Sequence, residues 1–551
     1  MFKKIFKFEI SYWLKSPIWY IYAGALFIIS ILITATATGV FDSNTATVTG
    51  IKKINSPSSI GSLLSSLSFL IYFLLPSIIG SSIYKDYKSE MYQVLFSYPF
   101  TKGQYLLAKF SSSFIMTLAI IICSIAGLII GCYLPGANQD LLLEFNILSY
   151  LQPFAILIIP NLLFFGTVVF GTVTFSRNIF VGFITVLILF VLQGIARAYL
   201  GDLDTKTWAA LLDPLGSSAI SYETEYWTVD EQNNNFIPFA GYILYNRILW
   251  SIISLLIFFG IFSAFKFNHN PISFRLFKKK SKRFVKRNFG GYKIHQIPKV
   301  QLDFRKTKLL KNVWKFALFE LKYILKNWAF ISIMAVGIIM VCIALNLGYR
   351  IQGTDSLPVT RIMIQLGQGG IGLFLLILIF LFSGMLIHRG NLSKMNQLIE
   401  TTAQPTWVFI ASKFLAILQM IVLIDFIVII ISIVMQTIKG FYDYEFGLYL
   451  FDYFILNFPN WIIYTVLAFF IHSLIKNYIV GFITLLVLNI LLSLLPLFGI
   501  EQSIFIFNEI SGTSYSDMNG YGHGLATFYI YKIYWGLFSV ALFAIATLFY
   551  Q

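Results

Sequence analysis

The chain has 551 residues, of which 58% are hydrophobic and 12% are charged, and its formal net charge is +16. About a quarter of the residues of a soluble domain are charged, so this composition excludes an ordinary soluble globular protein. The apolar residues come in runs of about 20 or more, the length that crosses a bilayer as a helix. The sequence therefore predicts an all-α integral membrane protein.

An amphipathic segment, residues 5–16, precedes the first apolar run. Its apolar side chains can share one face while its lysines reach water, so we expect a helix along the membrane interface. A signal peptide is the alternative, because Ala35-Thr36-Ala37 resembles a cleavage site. The same lead and run recur at 319–347, where no signal peptidase could act. The residues assigned to the two interfacial helices are Glu9, Trp13, Lys15, Glu320, Lys322 and Lys326.

Twelve apolar runs follow in chain order, six in each half. Because six is even, both halves would insert with the same orientation, as parallel repeats. The third and ninth runs are long enough to tilt or to extend beyond the bilayer. The predicted spans are 18–38, 60–82, 106–133, 150–175, 179–200, 244–264, 328–347, 362–387, 408–437, 452–474, 478–498 and 529–550.

The two halves also share sequence. Residues 178–192 recur almost letter for letter at 477–491, and the basic residue before each copy is kept. A repeat of half the chain is too long for a solenoid and indicates a doubled helical bundle, a pseudo-dimer in one chain. Other matches in the same order are Asn161 with Asn460, residues 8–15 with 319–326, Met91, Gln93, Lys109 and Phe110 with Met395, Gln397, Lys413 and Phe414, and Arg247, Ile248 and Trp250 with Lys532, Ile533 and Trp535.

The segment 266–315 joins the halves 1–265 and 316–551. It holds sixteen Lys or Arg residues and one acid, Asp303, a net charge of +15. Because basic residues collect on the cytoplasmic face, we expect this linker and both termini to be cytoplasmic and the acidic loop 201–243 to face outward. The linker would rest on anionic lipids or dock on an acidic partner. Nucleic-acid binding is not expected, since no recognisable binding fold fits in such a connector.

The connection after the second span contains an acid, a short apolar helix, a Ser/Thr-x-Pro sequence and the start of a Lys-bearing helix. This order resembles the cytoplasmic loop of ABC-2-type exporter permeases. The resemblance covers the full chain and is greatest to double-length permeases that in some bacteria continue into an M1-family aminopeptidase domain. The loop residues that carry it are Glu90, Met91, Gln93, Phe96, Ser97 and Pro99, and those of the second copy are Met395, Gln397, Glu400, Thr401 and Pro405.

The resemblance implies that each loop is a coupling helix seated in a groove of a separate ATP-binding subunit, of which two copies would carry ATP and Mg²⁺. It also implies short helices in the long outer loop. The second copy departs from the pattern, because Lys394 stands where the first has Glu90 and Pro405 falls two places late. Either the two halves bind their ATPases differently, or the sequence of the second loop has diverged because the loop tolerates change.

The chain lacks the sequences of the commonest nucleotide and zinc sites. It has no Gly-x-x-x-x-Gly-Lys-Ser/Thr sequence to hold ATP phosphates and no His-Glu-x-x-His sequence. The three cysteines show no paired spacing. We therefore predict no catalytic residue, no metal site and no cofactor in this chain, and a separate polypeptide as its energy source.

Few polar residues lie within the predicted spans. An acid at the bilayer centre costs about 3 kcal/mol on insertion scales, so Asp425 would face protein or water. A hydrogen bond between helices and a place on a substrate path both remain open for such residues. The four candidates are Asn161, Asp425, Asn460 and His472.

The sequence thus predicts the permease subunit of an ABC exporter in the cytoplasmic membrane, with an unidentified substrate. A secondary transporter or channel is one alternative, since such proteins also have parallel six-span repeats. A membrane anchor for a peptidase is the other. The last apolar run ends at Gln551 without a basic exit, as expected if the chain continues into a longer polypeptide.

Overall fold

The computed structural model describes residues 1–40, 52–198, 206–267, 305–393, 395, 401–402 and 404–549, except positions 349, 352–353, 494, 499, 501, 503, 510–512, 514, 517 and 523. Almost every element in these ranges is helical, and a two-residue hairpin pairs Arg350–Ile351 with Thr354–Asp355. In chain order the helices are α1 (Phe2–Lys15), α2 (Pro17–Ala37), α3 (Pro57–Lys88), α4 (Tyr92–Leu95), α5 (Lys102–Cys132), α6 (Leu148–Ser176), α7 (Ile179–Ala198), α8 (Lys206–Leu212), α9 (Ser217–Glu223), α10 (Val229–Asn234), α11 (Gly241–Ala264), α12 (Lys306–Leu325), α13 (Trp328–Leu347), α14 (Thr360–Ile387), α15 (Arg389–Leu392), α16 (Thr406–Ile438), α17 (Phe446–Leu474), α18 (Tyr478–Ser493) and α19 (Gly524–Phe549).

Ten of the described helices are long and apolar enough to cross a membrane, so the prediction of a multi-pass helical membrane protein is confirmed. The predicted runs at 179–200 and 478–498 form the shorter apolar helices α7 and α18. α18 ends at Ser493, and a 3₁₀ turn occupies Leu495–Phe498. Pro496 has no amide hydrogen and cannot continue an α-helix, which explains why the predicted eleventh span was too long.

Both predicted interfacial leads are helices. α1 ends at Lys15, Ser16 is extended, and Pro17 starts α2, a first-turn position that suits proline. α12 begins at Lys306, inside the segment assigned to the linker. Its buried side chains, Leu309, Val313, Ala317 and Ile324, follow a helical spacing, so the amphipathic stripe starts earlier than predicted.

Small residues bring spans close together. A Cβ atom added to Gly131 of α5 would lie 1.9 Å from Thr34 Oγ1 and 2.5 Å from the Ile31 carbonyl oxygen, so only glycine permits this approach of α2. The Ser30 and Ser124 hydroxyls share a 2.6 Å hydrogen bond in the same contact. Such packing substitutes for the hydrophobic effect, which supplies no driving force between helices in lipid.

Helices from before the linker contact helices from after it, and the same two positions of each half are involved. α7 packs on α13, and α18 contacts α2. Phe180 stacks on Tyr478, and Phe183 meets Phe482 edge-on, with ring centroids 5.6 Å apart in both pairs. A cavity of about 10 Å³ at this contact is lined by apolar side chains. The contact is therefore closed and dry in this conformation.

The bundle has two distinct ends. α1, α12 and the α3–α5 connection lie at one, which we call the lead-helix end. The other, the loop end, carries the helices α8, α9 and α10, short helices of the kind that the resemblance implied for this long loop. Asp213 is buried in this loop and accepts hydrogen bonds from the amides of Leu215 at 2.9 Å and Ser218 at 2.7 Å.

Candidate functional site

Four charged side chains from three helices form a buried cluster at the lead-helix end, the first ionic cluster. Glu9 of α1 accepts hydrogen bonds from Lys85 at 2.6 Å and from Lys109 at 2.7 Å. Lys109 also contacts Asp86 at 2.6 Å and donates to the Ser82 carbonyl oxygen at 2.9 Å. The ammonium therefore makes two hydrogen bonds and a further ion pair, and the two acids balance the two bases. The cluster ties α1 across the ends of α3 and α5.

Aromatic rings complete the first ionic cluster. Lys85 Nζ lies 3.7 Å from the Tyr12 ring centroid and 5.8 Å from that of Phe8. A cation over the face of an aromatic ring is attracted by the ring quadrupole, so the exposed side of Lys85 is also stabilised. α1 therefore contributes both an acid and two rings to one lysine.

A second ionic cluster lies around Arg389 and, like the first, joins an acid and two aromatic rings to one cation. Glu320 of α12 pairs with Arg389, whose guanidinium lies 4.2 Å from the Tyr323 ring and 5.2 Å from the Phe319 ring. The sequence offset that pairs Met91 with Met395 also pairs Lys85 with Arg389. The second cluster has arginine in place of Lys85, and Gly390 stands where the first has Asp86.

The remaining residues predicted for the interfacial helices lie outside these contacts. Trp13 is buried, and its indole nitrogen has no hydrogen-bond partner among the described residues. Lys15, Lys322 and Lys326 are exposed. The sequence analysis missed Lys85 and Asp86. Their signal was a charged pair three residues beyond the predicted end of the second span.

The first loop predicted to couple to an ATPase presents an apolar surface. Glu90 has a left-handed backbone with φ of 57°, and this reverses the chain after α3. Met91, Val94 and Tyr98 are 53%, 54% and 58% exposed. Glu90, Gln93, Ser97 and Pro99 are exposed as well. The single-turn helix α4 lies in the middle of this exposed loop, at the lead-helix end.

An aromatic chain joins this loop to the first ionic cluster. The Phe96 ring packs on Tyr87 at 6.1 Å and on Tyr105 at 5.9 Å between centroids. The Tyr105 hydroxyl donates a 2.8 Å hydrogen bond to Asp86. A force on α4 therefore reaches the ends of α3 and α5 and, through Lys109 and Glu9, the lead helix.

The second loop is described in part. Gln397 and Glu400, like Lys394, lie outside the described residues. Met395 is 46% exposed, and Thr401 is exposed as well. Pro405 immediately precedes α16, as Thr101 precedes α5. Lys413, the counterpart of Lys109, is buried and donates to the Ile387 carbonyl oxygen at 3.5 Å.

The two predicted asparagines lie near the loop end and differ in their contacts. The Asn161 side chain donates to the Leu215 carbonyl oxygen at 3.0 Å and accepts from Arg247 Nη1 at 2.6 Å. The Asn460 side chain instead donates to Leu456 of its own helix at 3.1 Å. Asn161 therefore links the loop between α7 and α11 to α11 itself. Arg247, which carries that contact, was noticed in the sequence only as a repeat match.

His472 lies in a cradle of two glycines. Added Cβ atoms would lie 2.4 Å from its ring at Gly384 and 2.5 Å from it at Gly481. Its Nε2 atom lies 2.9 Å from the Phe380 carbonyl oxygen, which can only accept, so Nε2 carries the hydrogen. Val173 fills the aligned position in the first half, between Gly80 and Gly182.

His388 packs beside His472, with ring centroids 6.2 Å apart. It lies just beyond the last residue of α14. Burial lowers the pKa of His388, and the charge of Lys413 acts in the same direction. The imidazole is therefore held in its neutral form more strongly than a solvated histidine.

Asp425 is buried in the middle of α16. Among the residues that the structure describes, no group of three or more His, Cys, Asp or Glu side chains could hold a metal ion. Comparison of the chain with protein-family models and with curated proteins finds no match.

Proposed function

We propose that this chain is the membrane-spanning permease subunit of an ABC-2-type exporter, a pseudo-dimer of two six-helix halves that moves its substrate with the energy of a separate ATPase. The exposed loop from Glu90 to Pro99, attached through Tyr105 to the first ionic cluster, is the observation that carries this proposal. A partner that pushed on this loop would move three helices at once.

The matching contacts of the two halves support a pseudo-dimer. Both lead helices pack on the third spanning helix of their half, α1 on α5 and α12 on α16. Both supply an acid and two aromatic rings to a cation at the end of the second spanning helix. The fifth helix of each half faces the first spanning helix of the other. A single six-helix unit placed twice about an axis along the membrane normal would produce these contacts.

In this proposal the lead-helix end is cytoplasmic, both termini lie there, and two ATP-binding subunits seat the loops. ATP and Mg²⁺ would be bound by those subunits, and the chain itself would catalyse no reaction. The basic linker, most of which lies outside the described residues, would rest on anionic lipid. Because the contact between α7 and α13 is closed and dry, ATP-driven rocking of the halves would have to open it for transport.

The proposal is tested with the full chain purified from its native membrane. We expect an ATP-binding subunit to co-purify, the complex to hydrolyse ATP, and the chain alone to hydrolyse none. Intrinsic ATP turnover by the homogeneous chain would contradict the proposal. So would unaltered substrate export in cells from which the co-purifying subunit has been deleted.

A secondary transporter is the second candidate, and Asp425 favours it, because an acid inside a spanning helix is typical of ion-coupled carriers. Transport by the chain alone in vesicles, driven by an ion gradient without nucleotide, would support this alternative. A membrane anchor for a peptidase would show neither activity.

A further inference from the structure

The carboxyl group of Asp425 lies unpaired in the interior of the second half. The side chain is 1% exposed, and its Oδ2 atom has no hydrogen-bond partner among the described residues. Within the same part of the chain, no nitrogen of Lys, Arg or His lies within 4.0 Å of it. Among these residues Oδ2 therefore makes no hydrogen bond to a neighbouring helix, which was the structural role considered for Asp425.

Two further hydroxyl groups lie unpaired nearby. Ser432 and Tyr453 are fully buried, and neither hydroxyl has a hydrogen-bond partner among the described residues. A Cβ atom added to Gly367 of α14 would lie 2.9 Å from the Tyr453 hydroxyl and 3.2 Å from that of Ser432. The glycine thus leaves both hydroxyls room at one point between α14, α16 and α17. Asp425 lies on the same face of α16 as Ser432, two turns of helix away.

The first half lacks this polar group. The offset that pairs Lys109 with Lys413 places Ile121 and Leu128 opposite Asp425 and Ser432. The offset that pairs Asn161 with Asn460 places Phe154 opposite Tyr453. Three apolar residues therefore pack where the second half has three unpaired polar ones. General packing of a six-helix half does not require the acid.

The groups around Asp425 offer no charge to balance an ionised carboxylate. Lys413, on the same helix, is twelve residues away, which is roughly 18 Å along the axis. Asp452 is engaged elsewhere, because it accepts hydrogen bonds from Gln368 at 2.6 Å and from Tyr521. Other titratable residues of the helices that pack against α16 are Arg361 on α14, Cys342 on α13, and Tyr449 and Tyr453 on α17.

We propose that Asp425 is a proton-binding site in the membrane interior of the second half. An ionised carboxylate without a partner is costly in apolar surroundings, whereas the carboxylic acid is tolerated. Binding is a simple protonation, in which one carboxylate oxygen takes one proton and the charge is neutralised. This inference requires neither the proposed ATPase nor transport.

The direct test is infrared spectroscopy of the full chain in lipid nanodiscs. At neutral pH we expect the carbonyl stretch of one protonated carboxyl group, and we expect Asp425→Asn to remove it. The matched control is Asp452→Asn, which should leave the band, because Asp452 accepts two hydrogen bonds that Asp425 lacks. A wild-type spectrum without a protonated carboxyl band at neutral pH, or an unchanged band in Asp425→Asn, would overturn the proposal.

The band should also titrate. We expect its intensity to decrease at alkaline pH, where the carboxyl group would lose its proton. A midpoint that sodium ions displaced to lower pH would instead identify a metal cation as the competing ligand and overturn the assignment to a proton. Thermal unfolding gives an independent measurement. Stability that depends on a bound proton falls as pH rises, so the wild type should lose stability toward alkaline pH relative to Asp425→Asn.

Discussion

Glu9 accepts a hydrogen bond from Lys109 at 2.7 Å, and both side chains are 1% exposed. One hundred positions separate them in the sequence. Their contact fixes the first helix of the chain to the start of α5, directly beside the loop that we propose to bind an ATPase. A buried ion pair contributes little relative to an apolar pair, but the loss of one partner leaves an uncompensated charge.

Lys109→Met is therefore expected to destabilise the protein by about 3–5 kcal/mol, because Asp86 loses the one ion pair that it makes among the described residues and Glu9 loses one of two. Denaturant unfolding of the full chain in detergent measures this. Lys322→Met, which replaces an exposed lysine of the other lead helix, should change stability by less than about 0.5 kcal/mol. Equal stabilities of the two variants would show that the first ionic cluster does not hold α1.

Gly481→Ala is expected to destabilise the protein by about 1–3 kcal/mol, because the new methyl group would overlap the His472 ring. Combining it with His472→Ala should recover most of this loss, since the smaller side chain vacates the space. Gly369→Ala is the control, because a Cβ there meets nothing within 4 Å. Additive effects of Gly481→Ala and His472→Ala in a double-mutant cycle would show that Gly481 and the His472 ring are not in close contact.

Glu90→Ala and Glu90→Gly are expected to separate coupling from stability. Both remove the carboxylate that would accept hydrogen bonds from a partner's Arg or Lys, so both should lower ATP turnover of the assembled complex several-fold. Glycine adopts the left-handed backbone without strain, so Glu90→Gly should be more stable than Glu90→Ala by up to about 1 kcal/mol.

Lys394→Ala, at the matching position outside the described residues, should lower turnover less than Glu90→Ala. Wild-type turnover in both Glu90 variants, with the complex intact, would refute the assignment of this loop. That outcome would leave the proton site at Asp425 unaffected.

The stability of the protein is expected to fall in acid through His388. Burial lowers the pKa of this histidine, so below the ordinary histidine pKa the unfolded chain binds a proton that the native protein does not. Stability is thus fully present above the unfolded pKa and decreases as pH falls. His388→Gln should reduce this slope in thermal unfolding. Tyr84→Phe, at the aligned position of the first half, should leave it unchanged.

The orientation is tested with single cysteines on opposite ends of the bundle, in a chain without its three native cysteines. Tyr226 is 90% exposed at the loop end, and Tyr98 is 58% exposed at the lead-helix end. An impermeant thiol reagent should label Tyr226→Cys in intact cells and Tyr98→Cys only after permeabilisation. Labelling of Tyr98→Cys alone in intact cells would reverse the predicted topology. Labelling of both variants would refute it.

The sequence by itself determined the class of the protein and most of its elements. Runs of apolar residues, amphipathic leads and prolines act within a few turns of helix, so α1, α2 and the long helices α5 and α16 could be predicted. Even the one-turn helix α4 followed from a short local pattern. The start of α12 and the end of α18 were misplaced, although the stripe from Leu309 and Pro496 carried the necessary local signal.

Only the tertiary structure decided which polar groups meet. The pairing of Glu9 with Lys85 and Lys109, the hold of Arg247 on Asn161, and the cradle of His472 join segments that are tens of residues apart. Periodicity reports which face of a helix is apolar but not which helix will cover it. The unpaired state of Asp425 is likewise a property of its neighbours. A buried acid is paired or unpaired according to the distances to other helices, and packing alone sets those distances.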